Sequence, residues 1–225
     1  KIMQGNSLIE SFMGVDLSKL TYEKEYKKDK GEISLFDDEK NRLQKTVSHL
    51  LSSYYSCSDH DRKVKLQQEI SDTINKQLEA QAYNPEILRE LRAINLAENN
   101  KFFLWHTWFS DVFNRDDREG FDIVIGNPPY IGEKGHKEIF QPVKSDIHLG
   151  QYYLGKMDYF YFFFHLAFSM LSPHGIATFI TTNYYPTALG ARRLRADIKD
   201  RMSIKTLFNL GELRLFENAP GQHNM

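Results

Sequence analysis

The chain has 225 residues, with 29 Lys and Arg against 30 Asp and Glu. That length suits one sizeable domain or a domain with an insertion, and the balanced charge carries no polyanion-binding signature. A nucleic-acid partner would have to meet a local basic patch, and the single cysteine, Cys57, excludes an internal disulfide framework and points to a reducing cytoplasm.

The opening residues, KIMQGNSL, read as the end of a strand running into a loop. They carry neither an initiator methionine nor a signal-peptide pattern, so the chain is expected to be part of a longer protein. Residues 1–20 read as a short strand and a turn that begin one domain. From 21 to 99 the composition shifts to Lys, Glu, Asp and Gln, which reads as a helical insertion. Within it, residues 40–99 are expected to pack as a hairpin. Leu66, Ile70, Ile74 and Leu78 recur at four-residue spacing and give one helix an apolar stripe. A second helix starts at Asn84-Pro85-Glu86, with an N-cap residue, a proline at the first helical position and an acid in the first turn. Ile87, Leu88, Leu91 and Ile94 form its stripe. The charges of the insertion read as a solvated face rather than a DNA surface.

Residues 100–225 read as the rest of the first domain. KFFLWHTWFSDVF, 101–113, is dense in aromatics and reads as core, with base stacking by Trp105 or Trp108 the lesser alternative. FDIVIGN is a short β-rich strand. A long polar loop precedes MDYFYFFFHLAFSML, 157–171, the most apolar run. It falls short of the roughly 20 residues of a membrane span and carries Asp158 and His165, so it reads as a buried helix. SPHG, 172–175, reads as a turn, IATFITTN as a second strand and residues 186–202 as a helix. IKTLFNLGEL, 204–213, is a third strand candidate. Alternating strands and helices predict an α/β fold with a largely parallel sheet covered on both faces.

The stretch Asn127-Pro128-Pro129-Tyr130 follows the first of these strands. In open α/β sheets, ligands bind beyond the carboxyl ends of the strands. Proline fixes φ and lacks an N–H, and the residue before it is pushed to extended backbone. Asn127 and Pro128 are therefore held extended. They offer two acceptors on a stiff support, the Asn127 side-chain oxygen and the Pro128 carbonyl. Two acceptors suit a planar amino group. A conjugated amine is a poor nucleophile because its lone pair is delocalised, and drawing on its two hydrogens favours a pyramidal nitrogen. Positioning and preorganised electrostatics then carry the catalysis. Tyr130 can stack on the flat group bearing the amine, as when a base is extruded from a duplex.

FDIVIGNPPYI resembles the motif of amino-group methyltransferases that use S-adenosylmethionine. With QGNSL, FLWHTWFSDVF and DYFYFFFHLAFSMLSPHGIATFITTNYYPTALGARRLRADI in the same order, the chain looks like the adenine-N6 DNA methyltransferases, in particular the methylase part of single-chain type II restriction–modification enzymes. The resemblance implies a partial Rossmann-like methyltransferase sheet, mostly parallel, carrying a helical insertion. It implies that Asn127 and Pro128 hold the target amine of double-stranded DNA, that Tyr130 stacks on the flipped adenine, and that Pro129 lies near the cofactor. Cofactor binding would involve Asn6, Asn127 and Pro129. Asn6 stands where the family commonly has Asp, and Asp158 matches a position at the start of the next helix, where an acid is also simply stabilising.

The family's glycine-rich cofactor loop and ribose-binding acid would precede residue 1, and a second base-stacking aromatic would follow GQHNM. The chain alone is thus expected to transfer methyl groups weakly or not at all. Lys134, His136, Lys137 and Lys144 after the loop, and Arg192, Arg193, Arg195, Lys199 and Arg201 in the later helix, are candidates for phosphate contact or ordinary solvated faces. The DNA-binding choice falls on Lys134, Lys137, Arg192 and Arg193. The eight histidines show no metal spacing, and His165 reads as a core histidine. Two alternatives stand beside adenine: the same loop serves protein-glutamine and ribosomal-RNA guanine methyltransferases, and the helical insertion could make the chain a non-catalytic DNA-binding or assembly module. An incomplete sheet would also expose an edge through which two copies could pair.

Overall fold

The protein is described by a computed structural model covering residues 4–20, 35–80, 84–96 and 99–211. Expectations that fall on residues 1–3, on 212–225 and on the short stretches between these spans lie outside the described residues. The chain divides into two compact units, Lys1–Asp117 and Arg118–Met225.

In the first unit, strands β1 (Ser11–Phe12) and β2 (Val15–Asp16) form a minimal antiparallel hairpin. Its two loop residues, Met13 and Gly14, both have positive φ, 49° and 80°, the geometry that matches the twist of paired strands. Helices α1 (Leu35–Ser56) and α2 (His60–Ala80) pack as a hairpin. Asp59 caps α2, its side chain accepting from the Arg62 N–H at 2.8 Å. The predicted stripe Leu66, Ile70, Ile74 and Leu78 is buried, as are Val47 and Leu51 of α1. Helix α3 (Pro85–Arg92) starts as its sequence suggests, with the Asn84 side chain accepting from the Glu86 N–H at 2.9 Å.

The aromatic segment forms two helical turns, α4 (Trp105–Trp108) and α5 (Ser110–Phe113). Trp108 is 1% exposed, which commits it to the core, as are Phe102, Phe103 and Phe113. Trp105 is half-buried, and its indole N–H donates to the Ser7 carbonyl at 2.8 Å.

The second unit is α/β. Strand β3 (Phe121–Gly126) pairs in parallel with β4 (Leu171–Phe179), and the connection carries α6 (Lys137–Lys144) and α7 (Phe160–Met170). One face of the pair packs on α7, with the Phe164 and Phe179 ring centroids 4.6 Å apart. Gly126 ends β3 on that face. A Cβ there would stand 2.5 Å from the Phe179 ring, so only glycine fits without movement. Helix α8 (Arg192–Arg201) lies against α7 and is the last helix of the described part.

Several expectations are corrected. The SPHG segment does not separate helix from strand. Phe121 pairs with Leu171 and Ile123 with Ile176, so residues 172–175 bulge out of a continuous β4. The turn chemistry is satisfied inside that bulge, where His174 adopts φ 68°. The polar loop after Tyr130 contains α6, anchored by Phe140 and Val143, both buried. Residues 204–211 form no strand, and Ile204, Leu207 and Phe208 are exposed. Among the described residues of this unit, helices cover one face of the sheet. Ile123, Ile125 and Ile176 share the face opposite α7 and are 61%, 78% and 55% exposed. Among the described residues of this unit the parallel pair has one helical layer, and the isoleucines of its other face are exposed. Among the described residues, no helix is long and apolar enough to cross a membrane.

His165 of α7 is buried, with its Nδ1 2.5 Å from an Asp197 oxygen on α8 and its ring stacked on Tyr152 at 3.7 Å. Arg201 pairs with both Asp197 oxygens, at 2.5 and 2.6 Å. That pairing already compensates the carboxylate. The His165 Nε2 is buried without a partner among the described residues, so a proton there would have no acceptor. Burial therefore outweighs the pull of Asp197 and lowers the imidazole to about 4 from 6.5. Between those values the unfolded chain binds a proton that the folded chain refuses, so His165 makes stability fall as pH drops from about 6.5 to about 4 and level off below. His165→Asn keeps a donor for Asp197 and does not titrate. Urea unfolding should show the wild-type-minus-variant stability difference rising with pH across that window. A flat difference would refute the neutral assignment.

Candidate active site at the end of strand β3

Beyond Gly126 the chain leaves the sheet as Asn127-Pro128-Pro129-Tyr130. Asn127 and Pro129 are exposed, Pro128 is buried and Tyr130 is half-buried. The buried proline seats the loop while its neighbours face outward. The Pro128 carbonyl accepts no hydrogen bond from any described residue. The Asn127 Oδ1 accepts from the Tyr130 hydroxyl at 2.7 Å, and that hydroxyl also lies 2.8 Å from the Ile180 carbonyl just past β4. The Tyr130 ring meets the Phe160 ring edge-on, at 6.2 Å and 88°. Burial raises the tyrosine hydroxyl above its usual range, so it remains a donor at neutral pH.

The arm leaving Tyr130 is stitched to the segment before α7. The Tyr159 N–H donates to the Ile131 carbonyl at 2.8 Å and the Glu133 N–H to the Met157 carbonyl at 2.9 Å, flanking an antiparallel bridge between Gly132 and Asp158. The buried Glu133 carboxylate accepts from the Lys156 N–H and the Tyr153 hydroxyl. Glu133 was not singled out by sequence reasoning, because it sits in a run read for its lysines. Its only signal is an acid three residues past the tyrosine. Asp158 is half-buried, its carboxyl held above the usual range by burial, and it accepts from the Tyr161 hydroxyl at 2.9 Å.

The basic residues separate by what they touch. Lys134, His136 and Lys137 are exposed around the start of α6. Lys144 lies over the Tyr153 ring at 5.0 Å. Arg192 is exposed, whereas Arg193 donates to the Gln151 carbonyl and, at 2.6 Å, to the Tyr153 carbonyl. Arg195 donates to the Tyr185 and Ala188 carbonyls at 2.9 and 2.6 Å. Gly190, before α8, comes so close to the Lys156 carbonyl that an added Cβ would stand 2.1 Å from it. The loops after β3, before α7 and before α8 thus meet in this unit: Tyr130 joins Asn127 to the Ile180 carbonyl, and Glu133 joins the arm to Tyr153 and Lys156. Asn6 belongs to the first unit, where its side-chain oxygen accepts from the Leu8 N–H at 3.3 Å, an ordinary turn contact that leaves a lone pair. Among the described residues, no group of His, Cys, Asp and Glu could hold a metal ion.

A family model described as Eco57I restriction-modification methylase matches residues 10–216. The Type II methyltransferase M.HincII of Haemophilus influenzae is 28% identical over 104 residues, which is 46% of this chain and 21% of that protein. The Type II methyltransferase M.HindII of Haemophilus influenzae (strain ATCC 51907 / DSM 11121 / KW20 / Rd) is similar to the same extent, 28% over 104 residues, covering 46% of this chain and 20% of that protein. The chain spans about a fifth of the length of these curated relatives.

Glu133 is the test of the stitched arm. Glu133→Ala leaves the Lys156 N–H and the Tyr153 hydroxyl without their acceptor, a loss of about 1–3 kcal/mol. Amide hydrogen exchange should speed up at Glu133, Lys156 and Tyr159 while α8 stays protected. Unchanged protection at Lys156 would show that the carboxylate does not hold the arm.

Proposed function

Since the chain belongs to the Eco57I restriction-modification methylase family, we propose that it carries the amine-holding part of a DNA methyltransferase that transfers a methyl group to adenine N6 within a restriction–modification system. The observation that carries this reading is the acceptor pair on the proline-stiffened loop, Asn127 Oδ1 and the Pro128 carbonyl, beside the half-buried ring of Tyr130. The relatives' description as Type II methyltransferases supports methylation of DNA.

The donor set fits this chemistry. The loop offers acceptors and a protonated phenol, with no thiol and no carboxylate of its own, so it can hold an amine but not carry a methyl group. A co-substrate must bring the methyl, and S-adenosylmethionine supplies one on a sulfonium. In this reading Asn127 and Pro129 would help to hold it, and Asn6 of the first unit is a candidate by resemblance alone. Asn127 Oδ1 and the Pro128 carbonyl would accept the two amine hydrogens and turn the nitrogen lone pair out of conjugation. Tyr130 would stack on the extruded base, for which ring stacking is worth about 1–3 kcal/mol. The surplus proton leaves the methylated nitrogen for water after transfer, so no strong base is required at the loop.

In this reading residues 1–20 and 100–225 build the methyltransferase domain and 21–99 are an insertion in it. The partner is double-stranded DNA in a cytoplasmic setting, met by Lys134, Lys137, Arg192 and Arg193. Of these, Arg193 also holds backbone carbonyls, so Lys134, Lys137 and Arg192 are the freer cations. The edges of the β3–β4 pair, which carry no further strand among the described residues, would admit a second copy of the chain.

Incubating the intact enzyme with labelled S-adenosylmethionine and duplex DNA, ribosomal RNA or a glutamine-bearing protein should label DNA alone, at adenine N6. Asn127→Ala should cut that transfer at least about a hundredfold, the scale seen when a preorganised polar contact is removed. Retained transfer would refute the acceptor-pair mechanism, and label on RNA or protein would move the substrate. Lys134→Glu with Lys137→Glu should flatten the salt dependence of DNA binding by a slope of about 2. An unchanged slope would remove both lysines from the interface.

A further inference from the structure

The Tyr130 hydroxyl has one proton and two acceptors in reach, Asn127 Oδ1 at 2.7 Å and the Ile180 carbonyl at 2.8 Å. It can serve only one at a time. The two acceptors differ in what else holds them. The Ile180 carbonyl is fixed in the backbone, and its own N–H donates to the Gly126 carbonyl at 3.3 Å. Asn127 is exposed, and the tyrosine hydroxyl is its one side-chain hydrogen-bond partner among the described residues. The Phe160 edge sets the ring, so the hydroxyl can swing between acceptors about its C–O bond without moving the ring.

Resting on the amine-methylation reading above, we propose that the Tyr130 hydroxyl is a positioning group for Asn127. It holds the amide in place while the loop is empty; with an amine at the loop it turns its proton to the Ile180 carbonyl and keeps the amide by accepting from Nδ2, so that Oδ1 faces the amine. The phenol keeps a full hydrogen bond in either state, so handing over Oδ1 leaves its donor paired. When the amine arrives, Oδ1 is not shared with the tyrosine and accepts with full strength. If the Asn127 amide is turned about, its Nδ2 donates to the phenol oxygen while the hydroxyl stays on Ile180, and Oδ1 points away from the tyrosine. The same hydroxyl orients Asn127 in both arrangements. The function is distinct from stacking, which uses the ring and not the oxygen.

Tyr130→Phe separates the two roles, since it keeps the ring and removes the proton. In the intact enzyme kcat should fall on the order of tenfold, the rate equivalent of one neutral hydrogen bond. The KM for DNA should stay within about twofold, because stacking is unchanged. Asn127→Asp has two equivalent oxygens and needs no orienting donor, so adding Tyr130→Phe to it should change kcat by less than about twofold. An unchanged kcat in Tyr130→Phe, or an equal loss in the Asn127→Asp background, would overturn the proposal. A second measurement does not depend on activity. In 15N relaxation of this chain, the Asn127 side-chain amide should be ordered in the wild type and mobile in Tyr130→Phe, and equal mobility in both would overturn the proposal. If the intact wild type does not methylate DNA, the functional reading fails, and the relaxation measurement decides the tyrosine's role by itself.

Discussion

The Phe179 ring occupies the space a Cβ on Gly126 would need, and the rest of the second unit depends on that contact. It fixes the last residue of β3 against the last residue of β4, and Phe164 of α7 closes over the same ring. The chain therefore leaves β3 in one direction only. Two prolines then keep it extended, and the edge of Phe160 meets Tyr130 as it arrives. The site is stiff because three aromatic residues and a missing side chain define where the loop starts. The acceptors themselves contribute little to that stiffness.

The polar contacts around the loop share a pattern. Backbone carbonyls that end strands and loops are taken up by side chains from elsewhere: Ile180 by Tyr130, Tyr153 by Arg193, and Tyr185 and Ala188 by Arg195. Bonds from charged donors to carbonyls are among the stronger ones, and here they fasten three loops rather than a regular ladder. A loop site gains precision this way, because irregular backbone has few bonds of its own. The cost is that several arginines with a DNA-binding look are also structural, and charge alone does not separate the two uses.

Much of this was legible in the sequence, and the misses have physical reasons. The α2 stripe and the Asn84 cap could be read because their signals are local: spacing on one face, and a side chain reaching two residues on. β3 and its proline loop were legible for the same reason. α6 was missed because its polar residues and internal Pro142 look like loop, while only Phe140 and Val143 are buried. The strand expected at 204–213 rested on apolar composition; over 204–211 no described strand pairs with the chain, and composition alone does not make a strand. Covered sheet faces were inferred from the isoleucines, yet hydrophobicity says what a residue would prefer to touch and not whether anything lies there. Glu133 could not be found from pattern, since its partners at 153 and 156 are joined to it only by the fold.

The bulge at residues 172–175 has a consequence for how this unit tolerates change. Pairing lapses after Leu171 and resumes at Ile176, so the chain between them has no register to keep. A residue gained or lost there would leave the later pairs in register, at the cost of the close packing of Gly175 on the Phe121 carbonyl. The same change beyond Ile176 would slip every later pair by one and turn each side chain to the other face, carrying the Ile180 carbonyl away from Tyr130. The bulge thus acts as an expansion joint, letting α7 and its preceding loops vary in length while the far ends of both strands stay aligned.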